Sequence, residues 1–143
     1  MDKKKKKFDF LEHTADIKFR VYGKNLEEVF ENVVSAISEY ISRGKKVKVV
    51  NKKTISLITS ENDLNLLLYS FLEELLYFLD AKNFIPAKAK VKIKEGHLKA
   101  VIYGDKASDY KNLDQIKSPT YSEMYIKNLG KNRGWEAQFV VDV

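Results

Sequence analysis

PAKAKVKIKEGHLKAVIY, residues 86–103, is the stretch on which the fold turns. After Pro86, the residues Ala89, Val91 and Ile93 fall on one side of an extended chain, and Lys88, Lys90, Lys92 and Lys94 on the other. A period of two is a half-buried strand. Glu95-Gly96 then offers a tight turn, and Leu98–Tyr103 runs back as a second strand. A hairpin of this kind pairs its own two strands antiparallel.

Working outward, the same period recurs on both sides. Phe8–Glu12 reads as a short strand, and Ile17, Phe19 and Val21 alternate with Lys18, Arg20 and Tyr22 up to Gly23. Lys46–Thr59 is rich in β-branched residues and reads as one strand, or two with a bend at Asn51. Gly104–Leu113 reads as a polar loop. Tyr121–Leu129 and Trp135–Val143 are the last strands, joined across Gly130–Gly134.

Two segments change period. Asn25 is a good helix cap with Glu28 three residues on, and Leu26, Val29, Phe30, Val33, Val34, Ile37, Tyr40 and Ile41 follow at helical spacing until Gly44. The second helix is expected from near Ser60, with Asp63 in the capping-box position, and runs through Leu64, Leu67, Leu68, Phe71, Leu72, Leu75, Leu76 and Leu79. It has no Lys or Arg between Glu61 and Asp80. The expected order is β-β-α-β-α-β-β-β-β. Its class is α+β: a single domain over residues 1–143, with two amphipathic helices on one face of a mostly antiparallel or mixed sheet.

The 143 residues include no cysteine, so disulfides, thiolate chemistry and sulfur-ligated zinc are excluded. Two histidines, His13 and His97, do not build a histidine metal site. The net charge is +6, of which the run Lys3–Lys7 supplies five. That run, in residues 1–7, reads as a flexible basic tail, so net charge alone does not make the chain a nucleic-acid binder. No stretch approaches the ~18 apolar residues of a membrane span. A cytoplasmic protein is expected. No phosphate-binding loop, dinucleotide fingerprint or nucleophile elbow is present, which argues for a binding or helper module with no catalytic residues of its own.

Two carboxylates stand at the ends of apolar runs: Asp16 after His13-Thr14-Ala15, and Asp142 after Phe139-Val140-Val141. If the first and last strands lie side by side, the two converge into a hard oxygen site suited to Ca²⁺ or Mg²⁺. Asp16 also reads as a turn aspartate, and Asp142 as a solvated chain end. His13 reads as a base, a ligand or a packed residue. The lysines at 88, 90, 92 and 94 read as an RNA groove, or as a face that keeps the sheet from pairing with another.

Several segments resemble one family in register. Leu11–Ile17, LEHTADI, is similar to the opening motif of the archeases. Tyr22–Phe30 resembles their first helix start, and Asp63–Tyr77 their second helix. Gly104-Asp105 falls where the family often has Gly-Glu. Ile116–Tyr121, IKSPTY, resembles the strand V-K-A-V-T-Y, and Val140–Val143 resembles the terminal V-x-D-I. The resemblance implies a non-catalytic protein cofactor. It would promote guanylylation and multiple turnover of an RtcB-type RNA ligase in tRNA splicing. It implies a divalent metal, most often Ca²⁺, held by Asp16, Asp142 and Val143. It implies that Lys117, with Asp16 and Asp142, serves ligase activation. The partner would be the ligase, with tRNA met indirectly, direct RNA binding weak or absent, and no membrane. The other reading is a general RNA-binding or chaperone-like module using Lys88–Lys94. The chain departs from the family pattern at Ser118-Pro119, where Pro119 requires an edge or a bulge, and at Ser122, where many members have histidine.

Overall fold

The computed structural model describes residues 6–12, 15–58 and 63–143. Its elements follow the expected order: β1 (Phe8–Glu12), β2 (Asp16–Gly23), α1 (Leu26–Ser42), β3 (Asn51–Ile58), α2 (Leu64–Ala81), β4 (Phe84–Lys94), β5 (His97–Lys106), β6 (Ser118–Asn128) and β7 (Trp135–Asp142). All pairings are antiparallel. The fold is α+β, as the patterning indicates.

The strands divide into two sheets where one was expected. The first has the order β1-β2-β7-β6, the second β3-β5-β4. The reason lies at the outer edge of β4. There the Val91 N–H donates to Glu31 Oε2 at 2.8 Å and the Ile93 N–H to Glu27 Oε2 at 3.4 Å. Helix α1 thus satisfies backbone donors that a further strand would have used. It packs against β4 on one side and β2 on the other, while α2 packs on β6, β4 and β3.

Local chemistry sets the helix ends. Asn25 Oδ1 accepts the Glu28 N–H at 2.8 Å and caps α1, while Glu28 Oε1 takes the Lys24 N–H at 2.9 Å. The helix ends at Arg43, which takes the left-handed conformation (φ 55) one residue before Gly44. Asp63 is itself the cap of α2, accepting the Leu66 N–H at 3.0 Å. The helix therefore begins at Leu64 and not near Ser60, which, like Thr59, lies outside the described residues.

Three strand boundaries also differ from expectation. The strand expected from Lys46 starts only at Asn51, because Lys48 gives its N–H to the Tyr110 hydroxyl (2.9 Å). The expected loop from Gly104 is still strand to Lys106. Gly104 pairs with Pro86, and a Cβ there would lie 2.1 Å from Ile85 O, so only glycine continues the ladder. β6 starts at Ser118 and shifts register between Thr120 and Tyr125, with Glu123 left-handed (φ 55). Pro119 thus sits on an edge strand beside a bulge, as its missing N–H requires.

The core joins both sheets to both helices. Phe19 and Phe139 stack across β2 and β7 with centroids 4.8 Å apart, and Phe30 of α1 meets Phe71 of α2 edge-on at 5.2 Å. All four rings are fully buried. Among the described residues no helix is long and apolar enough to cross a membrane.

Candidate functional site

The site is built where β2, β7 and β6 end together. Strand β2 pairs with β7 over its whole length, and this register sets Asp16 opposite Asp142. Ile17, Phe19 and Val21 face Val141, Phe139 and Ala137 in the core, so Asp16 and Asp142 share the opposite face. The Val143 N–H donates to Ala15 O at 3.5 Å, which brackets Asp16 and Asp142 as a non-hydrogen-bonded pair. Such pairs are the closer kind, with Cα atoms about 4.5 Å apart.

Two like charges directly opposite one another in a sheet are unfavourable. Their surroundings differ. Asp142 is exposed, whereas Asp16 is half-buried and its Oδ1 has no solvent contact. An oxygen-rich pair of this kind fits a hard divalent cation, which takes six to eight oxygens in the case of Ca²⁺. Two carboxylates and a main-chain oxygen of Val143 would supply part of such a shell.

A further residue joins this row. β6 pairs Ser118 with Asp142, so Ser118, Asp142 and Asp16 stand side by side across three strands. Sequence reasoning noted Ser118 only as a departure from the family pattern. Its signal was its place beside Lys117, but its neighbour across the sheet is set by register alone.

Lys117 is exposed just before β6, and its N–H donates to Asp142 O at 2.8 Å. Its backbone is therefore tied to the strand that carries Asp142, and its side chain is left in solvent. Towards the middle of the same face, Lys18 Nζ bonds Glu123 Oε1 at 2.7 Å and Thr120 Oγ1 donates to Val140 O at 3.1 Å. These bonds pin the bulge of β6 over β7 next to the acidic row.

The structure brings Asp16, Asp142, Val143 and Lys117 together. It does not bring Asp105, which lies in the second sheet and is engaged there. The Tyr110 hydroxyl (2.7 Å) and the Lys106 N–H (2.8 Å) donate to its carboxylate, and these bonds hold its carboxyl below the usual range. His13 and Thr14 lie outside the described residues. Among the described residues no three His, Cys, Asp or Glu side chains gather into a metal cluster. Among the described residues, a cation here would draw on main-chain oxygen or the hydroxyl of Ser118 besides the two aspartates.

The family model described as the archease protein family matches residues 8–143. The protein archease of Pyrococcus furiosus is 38% identical over 144 residues, covering 96% of this chain and 99% of that protein. That of Methanosarcina barkeri is 36% identical over 151 residues and covers both chains fully (100% each). The solution structure of Methanobacterium thermoautotrophicum protein 1598 superposes with a TM-score of 0.79 at 30% identity, covering 96% of this chain and 99% of that one.

Proposed function

Because this chain belongs to the archease family, we propose that it is a non-catalytic protein cofactor of an RtcB-type RNA ligase, promoting guanylylation and repeated turnover in tRNA splicing. The observation that carries this reading is the direct opposition of Asp16 and Asp142 across β2 and β7. Those two positions are the ones the family resemblance assigns to a divalent metal.

In this reading Asp16, Asp142 and a main-chain oxygen of Val143 hold Ca²⁺, with Ser118 beside them. The bound ion neutralises two facing carboxylates that otherwise repel. Asp142 also accepts the Lys117 N–H, so whatever steadies Asp142 steadies the backbone from which Lys117 projects. The Lys117 ammonium is a mobile point charge able to meet a phosphate or carboxylate on the ligase. The protein works in the cytoplasm, meets tRNA through the ligase, and has by itself only weak affinity for RNA.

The test is ligation of tRNA halves by an RtcB-type ligase, in single and multiple turnover, with and without this protein. Stimulation of the ligase–GMP adduct and of turnover number is expected, and both should fall in Asp16→Ala. Unchanged guanylylation at saturating protein would refute the proposal.

A further inference from the structure

We propose that the open face of the second sheet binds the sugar-phosphate backbone of single-stranded nucleic acid. This goes beyond ligase activation and involves a surface that shares no residue with the acidic row. The register sets its membership. β4 places Lys88, Lys90, Lys92 and Lys94 opposite Tyr103, Val101, Lys99 and His97 of β5. β3 adds Lys52, Thr54, Ser56 and Ile58 opposite those same β5 positions. Among the described residues, the paired strand positions of this face therefore carry six lysines and no acid. All six are exposed, and among the described residues no carboxylate lies within 4.0 Å of their ammonium groups.

The concentration of charge is not a by-product of a basic chain. Outside Lys3–Lys7 the net charge is only about +1, so six lysines on one face imply an excess of acid elsewhere. Helix α2 shows it, with Glu73, Glu74 and Asp80 and no basic residue. Charge is segregated, which creates a directed field and not merely solubility.

The arrangement also works against stability. Lys92 and Lys99 are direct cross-strand partners, and like charges so placed are destabilising. Protection of a sheet edge does not account for the β4 lysines, since α1 already covers that edge through Glu31 and Glu27. A like-charge array retained on an open face is understandable if a polyanion neutralises it.

The composition selects the polyanion. Protein interfaces are depleted in lysine and anchored by aromatic residues and arginine. Here, among the described residues, Tyr103 is the one Phe, Tyr or Trp of the paired strand positions, half-buried with Lys88 Nζ 6.0 Å from its ring centroid. Lysines alternating along a strand stand about 6.8 Å apart. That is suited to successive phosphates of an extended strand, read as charge and not as bases. Lys88 also lines a groove of about 600 Å³, together with Lys46, Val47, Lys48, Val49, Val50 and Ala87. Val49 and Val50 are 49% and 66% exposed there, offering an apolar wall for one base beside three ammonium groups.

The experiment is fluorescence anisotropy of a labelled, unstructured 20-nucleotide RNA with the isolated protein, from roughly 25 to 200 mM KCl. The expected binding is micromolar at the low end, with log K against log[salt] falling at a slope of about −4, from six contacts at ~0.7 each. Changing Lys52, Lys88, Lys90, Lys92, Lys94 and Lys99 to Gln should weaken binding more than tenfold and bring the slope close to zero. Its melting temperature should match or exceed that of the wild type, because the Lys92–Lys99 repulsion is gone. The double variant Lys90→Glu/Lys92→Glu, with fewer changes, should also lose binding. A control with Lys111, Lys127 and Lys131 changed to Gln should bind normally, and DNA of the same sequence should bind within a few-fold. Unchanged affinity in the six-lysine variant, which keeps the N-terminal lysine run, would place binding elsewhere and overturn the proposal. Equal capture of polyglutamate, lost in the same variant, would reassign the face to an acidic protein and overturn it too.

Discussion

Replacing Asp142 by Asn should change the sign of its effect on stability when calcium is added. Asp142 lies opposite Asp16, with side chains rooted about 5 Å apart. Asp142 is exposed, so the effective dielectric is nearer water than protein interior. With values of roughly 40 to 80, the repulsion is ~0.8–1.7 kcal/mol. Asn keeps the shape and removes one charge. In EDTA the variant should therefore be more stable than wild type by about 1 kcal/mol, or ~4 °C in melting temperature for a chain of this size. Wild type in 1 mM Ca²⁺ should gain about 1.4–2.7 kcal/mol if the dissociation constant is ~100 to 10 µM, a rise of ~6–11 °C. The variant, with one carboxylate left, should gain little, so the order of stability inverts. Thermal melts of both proteins in EDTA, Ca²⁺ and Mg²⁺ read this directly. A variant that melts below wild type in EDTA, or equal Ca²⁺ shifts in the two proteins, would refute the paired-carboxylate site.

Lys117→Ala should melt within a few degrees of wild type, since the side chain is exposed and its backbone bond to Asp142 survives, yet it should stimulate ligase guanylylation poorly. Full stimulation at limiting concentration would remove Lys117 from the activating surface. Gly104→Ala should destabilise by about 1–3 kcal/mol in urea titration, because the new Cβ would meet Ile85 O at 2.1 Å, a backbone atom that cannot swing aside. Hydrogen bonds from Tyr110 and Lys106 hold the Asp105 carboxyl below its ordinary value of 3.8. A depressed carboxyl contributes stability above that unfolded value and loses it as pH falls through the folded one. Tyr110→Phe should therefore narrow the stability difference between pH 7 and pH 2, measured by urea titration, and an unchanged difference would contradict the assignment.

The order of the nine elements, the Asn25 cap and the Glu95-Gly96 turn were legible in the sequence, because period and capping are interactions within a few residues. Asp63 was legible as a capping residue but misplaced by a few positions, since several polar residues precede the leucine run and only geometry shows which accepts the Leu66 N–H. Asp16 and Asp142 were visible as carboxylates at strand ends, and the family resemblance singled them out. That they face one another was not. It depends on β2 lying beside β7, as in the Arg20–Gln138 hydrogen bond between residues 118 positions apart, and no local pattern encodes a pairing so remote. Register also brought Ser118 to Asp142, and it gathered lysines of three strands onto one open face. The division into two sheets was likewise tertiary. Glu27 and Glu31 lie between the apolar positions of α1, and only the packed structure shows them accepting the edge N–H groups of β4. Local periodicity determined what each segment is. The need to satisfy buried backbone donors and to bury the core rings between distant strands decided which segments meet.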